Sequence, residues 1–128
     1  NFIKKNKVIK KNWNYGYELM NKVNQISLDM GLNDYFFMSG PACSPIYSCL
    51  GNSKRPDLEF RTLFMQEMIK NSVFMPWLAI SYRHNKKELK KTLKAIENSL
   101  KIYKKALVYG PKRFINGPIV KPVFRRFN

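Results

Sequence analysis

Hydrophobic and polar positions along this chain fall into runs of two different periods. Over residues 4–30 or 7–30, Ile9, Trp13, Gly16, Met20, Val23, Ser27 and Met30 recur at alternating spacings of four and three. That spacing predicts one long amphipathic helix with a single buried stripe. Gly16 lies on the stripe, where glycine costs roughly 1 kcal/mol against alanine, so a neighbouring element should approach closely there. Gly31 is placed to end the helix in a left-handed conformation. Next come Tyr35-Phe36-Phe37-Met38 and Ile46-Tyr47-Ser48-Cys49-Leu50, which read as two strands. Ser39-Gly40-Pro41 lies between them and Gly51-Asn52-Ser53 after them. An antiparallel pair with a loop too long for a tight hairpin is expected.

Residues 60–84 organise the second half. Phe60, Leu63, Phe64 and Met68 share one helical face, predicting a helix over 60–71 after a brief edge at Leu58-Glu59. Asn71-Ser72 interrupts it, and Val73-Phe74-Met75 reads as a short buried strand. Pro76 withholds a ladder donor, so the chain should turn or follow an edge there. Trp77 falls in that loop, followed by Leu78-Ala79-Ile80 and the polar exit Ser81-Tyr82-Arg83-His84. A last helix is signalled by Asn85 as N-cap with Glu88 at N3, a capping box. Its stripe is Leu89, Leu93, Ile96, Leu100, Tyr103 and Leu107, and Gly110-Pro111 stops it. Residues 111–128 should form an extended tail anchored by Phe114, Ile115, Val120, Val123, Phe124 and Phe127. This order predicts an α+β fold, a small antiparallel sheet with helices packed on one face, in a single domain over residues 1–128.

Length and composition agree with a packed core: 128 residues, 45% hydrophobic and 14% aromatic. Chains of this size bury about two thirds of their unfolded surface. No apolar run reaches the roughly 18 residues that would span a bilayer, and the lysine- and asparagine-rich start has no signal-peptide core. A cytoplasmic location is therefore expected. The first residue, Asn1, is not Met, and helical pattern starts almost at once, which suggests a piece of a longer chain. Cys43 and Cys49 are too few for a disulfide framework or a zinc site, so both are expected to be reduced. The net charge of +16 favours anionic partners. Its lysines, however, are scattered through helices and not gathered in one tract, and a solvated surface is the simpler expectation. Lys86, Lys87, Lys90, Lys91, Lys94, Lys101, Lys104 and Lys105 cover the outer faces of the last helix. A basic nucleic-acid-binding module is the alternative reading, and a helix docking on anionic membrane a third.

A self-contained active site is hard to find. His84 is the only histidine, which excludes multi-histidine metal sites and leaves no partner set for a triad. Eight acidic residues form no evident carboxylate pair. The glycines are isolated, with no P-loop and no dinucleotide fingerprint. No catalytic, cofactor-binding or metal-binding residue is assigned.

Several motifs do resemble a known family. Arg61-Thr62-Leu63-Phe64-Met65-Gln66-Glu67-Met68, Ser72-Val73-Phe74-Met75-Pro76, Ser81-Tyr82-Arg83-His84 and Thr92-Leu93 with Ala95 resemble the C-terminal small domain of class III aminotransferases. The similarity is greatest to those like glutamate-1-semialdehyde aminomutase. Gly31-Leu32-Asn33-Asp34-Tyr35-Phe36 and the closing run from Gly117 to Asn128 fit the same pattern, in the same order. The chain departs from it at Asn71-Ser72, where the family commonly has Arg-Gly or Lys-Gly, and at Asn85, where Thr often caps the helix. The resemblance implies the small domain of a fold-type-I pyridoxal 5′-phosphate enzyme that transfers an amino group between or within small amino-acid or amino-sugar-like substrates. It implies that the Schiff-base lysine and the phosphate cup lie on a large domain, that this piece alone binds no cofactor, and that the whole enzyme is a homodimer. By motif position, Pro76, Trp77, Ser81 and His84 are the substrate-cleft candidates, with packing and helix entry as the plainer role for Trp77 and His84.

Overall fold

The computed structural model describes residues 1–121. Four helices and one two-stranded antiparallel sheet follow in the order α1 (Phe2–Lys5), α2 (Val8–Asp29), β1 (Phe36–Ser39), β2 (Ile46–Cys49), α3 (Leu58–Lys70) and α4 (Lys86–Tyr109). A 3-10 turn at Pro111–Arg113 ends the helical part. The fold is α+β, with a small antiparallel sheet.

The first helix is broken near its start. Lys7 adopts a left-handed φ of 49°, which separates α1 from α2. Along α2 the residues that are fully buried are Gly16, Leu19, Val23 and Ser27. Ile9 is 66% exposed, and Trp13, Met20 and Met30 are half-buried, so the buried stripe is displaced from the predicted one. Gly16 has the predicted reason: a Cβ there would sit 1.5 Å from the Ala42 carbonyl oxygen. Gly31, at φ 70°, ends the helix. Its N–H donates to the Leu28 carbonyl and that of Leu32 to the Ser27 carbonyl, the paired bonds of a Schellman motif.

β1 and β2 pair Phe36 with Cys49 and Met38 with Tyr47, and these four side chains form the buried face of the sheet. α2 closes the outer edge of β1 with side chains. The Ser27 hydroxyl donates to the Phe36 carbonyl at 2.6 Å, and Asn24 exchanges bonds with both backbone groups of Met38 at 2.7 and 2.9 Å. An edge so covered offers no template for further pairing. Under the sheet, Phe36 meets Phe64 at 4.6 Å between ring centroids, Tyr47 meets Phe64 at 5.0 Å and Phe60 meets Tyr103 at 4.8 Å. Tyr103, from α4, donates its hydroxyl to the Leu50 carbonyl at 2.6 Å. That bond ties the last helix to the end of β2.

Two predicted strands are absent. Leu58-Glu59 opens α3 and forms no edge, because the Asp57 carboxylate accepts the N–H groups of Glu59 and Phe60 and nucleates the helix. Residues 73–80, including Val73-Phe74-Met75 and Leu78-Ala79-Ile80, belong to no sheet. They are clamped by separate bonds from four parts of the chain. The Tyr47 hydroxyl donates to the Met75 carbonyl (2.8 Å), Arg61 to that of Pro76 (2.9 Å), Ser44 to that of Leu78 (2.8 Å) and Asn12 to that of Ile80 (3.1 Å).

α4 begins with the predicted capping box of Asn85 and Glu88. Its buried residues are Leu89, Ala95, Ile96, Ser99, Leu100, Tyr103 and Ala106, with Leu93 and Leu107 half-buried. Cys43 and Cys49 are free thiols. After the 3-10 turn the tail crosses α3: Gln66 binds the Phe114 carbonyl and the Asn116 N–H, and the Thr62 hydroxyl accepts from Val120. Val123, Phe124 and Phe127 lie outside the described residues.

Candidate functional site

The clamped segment 73–80 stands beside α2 and α4 and leaves an open groove of about 480 Å³ between them. Tyr15 and Leu19 supply one wall, the segment itself the other, and His84, Glu88, Lys91 and Thr92 a polar end. Within the segment the side chains of Met75 and Ile80 are buried, while Phe74 and Trp77 point outward at 76% and 72% exposure. Large aromatics left this open beside a concavity mark a contact surface better than scattered apolar residues do.

Of the four residues singled out in the sequence, the structure brings Pro76, Trp77 and His84 to this groove. Ser81 does not line it. The Ser81 N–H donates to His84 Nδ1 at 3.2 Å, so its backbone orients the imidazole and its exposed side chain plays no part in the lining. With Nδ1 accepting, the neutral ring carries its proton on Nε2. The ring also lies 5.6 Å from that of Tyr15 between centroids. Burial, reinforced by Glu88 and then Glu18, pushes the Tyr15 hydroxyl up to about 12, so that phenol stays protonated and available as a donor at neutral pH.

Phe74, Tyr15, Glu88, Lys91 and Thr92 were not anticipated. Phe74 reads in the sequence as part of a buried strand. Its exposure follows from the tethering of the segment through Met75 and Ile80, which no local pattern announces. Glu88 is legible only as a capping residue. It also faces the groove, and its carboxyl is held below the ordinary range by its own N–H and that of Asn85.

The arrangement offers a concavity whose polar end carries an imidazole, a carboxylate, an ammonium and a hydroxyl. Among the described residues no group of three or more His, Cys, Asp and Glu side chains is placed to hold a metal ion. The Cys49 thiol is pushed up to about 12 by burial and lies in the core, away from the groove. None of the described helices is long and apolar enough to cross a membrane. No protein-family model, curated protein or solved structure matches the chain.

Proposed function

We propose that the chain is the C-terminal small domain of a cytoplasmic, pyridoxal phosphate-dependent class III aminotransferase or aminomutase, closing over a substrate cleft completed by a large domain. The carrying observation is the collinear run of motifs from Gly31 to His84 and Ala95. The groove supports it, since Pro76 and Trp77 on its tethered wall and His84 at its polar end open onto one solvent-facing concavity.

The residues present do not fit the cofactor itself. The groove lining offers one lysine, Lys91, exposed on α4. Its single carboxylate, Glu88, is already committed to the Asn85 N–H at 3.1 Å. Nothing there makes a phosphate cradle or places an acid opposite a pyridine nitrogen. The cofactor, which acts as an electron sink in amino-group transfer, is therefore assigned to the large domain. What this chain supplies is enclosure. Phe74 and Trp77 would be covered on closure, excluding water from the cleft, and the proton on His84 Nε2 would be available to a polar substrate group.

The test is a longer chain, extended upstream of Asn1. It should purify with one equivalent of pyridoxal phosphate per chain. In that chain Trp77→Ala should lower turnover about tenfold, as loss of a gating contact does. At a surface position it should change stability by less than about 0.5 kcal/mol. A longer chain devoid of cofactor would overturn the reading.

A further inference from the structure

Two lysine-lined concavities flank the N-terminal half of α4. On its α3 side, Lys87, Lys90, Lys91 and Lys94 line a trough of about 380 Å³ together with Asn71 and Ala95. On its α2 side, Lys7, Lys10, Lys11 and Lys86 border a cleft of about 430 Å³. Lys86 and Lys87 are consecutive, so the basic surface continues across the start of the helix. All eight lysines are exposed.

Neutralising partners are scarce. Among the described residues only Lys94 of these eight makes an ion pair, at 3.4 Å to Glu97, which also takes Lys101. The nearby carboxylates are engaged elsewhere: Glu88 in the capping box, Glu18 with Lys22 at 2.7 Å, and Glu67 with Lys70 at 2.7 Å. Lys11 donates to the Tyr82 carbonyl at 2.7 Å. Such crowding of like charges does not stabilise the fold, and concave walls focus the potential outward.

We propose that this surface docks the phosphodiester backbone of a nucleic acid, without reading its bases. The lysines of α4 recur at i, i+3, i+4 and i+7, a column of charge about 10 Å long, which suits a repeating anion better than a single phosphate. No exposed apolar side chain lines the trough, whereas a helix docking on a bilayer inserts its apolar face. No aromatic lines the trough either, so bases have no stacking platform there and contact falls to phosphates. The trough shares only Lys91 with the aromatic groove, whereas the α2-side cleft shares Tyr15 and His84 with it, so the trough carries the inference and stands apart from the cleft reading.

Fluorescence anisotropy of a labelled duplex oligonucleotide with the 128-residue chain, across a potassium chloride series, tests it. Binding should be present at low salt and fall with a log–log slope of about −4 or steeper, close to −0.9 per phosphate contact. The combined variant Lys87→Gln, Lys90→Gln, Lys91→Gln, Lys94→Gln should lose at least about 30-fold in affinity and flatten the slope by about 3.6. Lys54→Gln, Lys101→Gln, Lys105→Gln, Lys112→Gln removes the same charge from elsewhere and should stay within about threefold of the parent. Glutamine is a good helix former, and circular dichroism checks that both variants fold. No binding at low salt overturns the proposal, and so does equal loss in both variants. Tighter binding of poly-glutamate or of phosphatidylserine vesicles than of the oligonucleotide overturns it too, in favour of an acidic protein or a membrane.

Discussion

Ser72 carries a positive φ of 60°, a conformation that costs a residue with a Cβ roughly 1–2 kcal/mol and glycine almost nothing. It sits where α3 turns into the clamped segment. Its N–H donates to the Ile69 carbonyl and that of Val73 to the Met68 carbonyl, the same terminal pattern that Gly31 supplies after α2. Ser72→Gly is therefore expected to stabilise the chain by about 1 kcal/mol, measured as a higher urea midpoint with unchanged slope. On the proposed reading this is also where the chain departs from the aminotransferase motif it resembles, so the strain lies in a departure visible in the sequence. The role of Gly16 was legible for the same reason, a glycine on an apolar stripe. Its neighbour Ala42 was not, because nothing local links a turn after β1 to the middle of α2.

At the scale of elements, helix ends were easier to read than strand partners. The box of Asn85 and Glu88 is a local signal and forms as expected, and Asn85→Ala should cost about 1 kcal/mol of stability in chemical denaturation. Because the Glu88 carboxyl is held below its ordinary value, its contribution is present above the ordinary carboxylate range and fades as pH falls through its lowered value. The predicted stripe of α2 has an average spacing of 3.5 over three heptads. A straight helix drifts about 20° per heptad from that repeat, which carries Ile9 off the buried face and leaves Leu19 in place of Met20 in the core. Residues 73–75 read as a strand because they form a short apolar run. They pair with nothing because Pro76 lacks a donor and because the edge of β1 is already taken by Asn24 and Ser27.

For the whole molecule, the fold class and the two paired strands were legible, while the groove was only partly so. Pro76, Trp77 and His84 share it because side chains from α2, β2, α3 and the β1–β2 loop tether the segment before His84. Such long-range tethers leave no periodic trace. The same packed core makes an alkaline prediction. Burial raises Cys49 and Tyr47 to about 12, from 9.0 and 10.0, and Tyr103 is raised as well. Each group is more readily ionised in the unfolded chain, so the stability tied to its neutral form is fully present below pH 9. It should be lost progressively between pH 9 and 12, seen as a falling melting temperature.

The division of labour between this chain and a large domain is most directly tested by titrating the chain alone with pyridoxal phosphate, reducing with borohydride and locating the label by mass spectrometry. Sparse labelling, spread over many exposed lysines and rising without saturation, is the predicted result. Saturable labelling of one lysine, at one equivalent per chain, would contradict it and place the cofactor site within this chain.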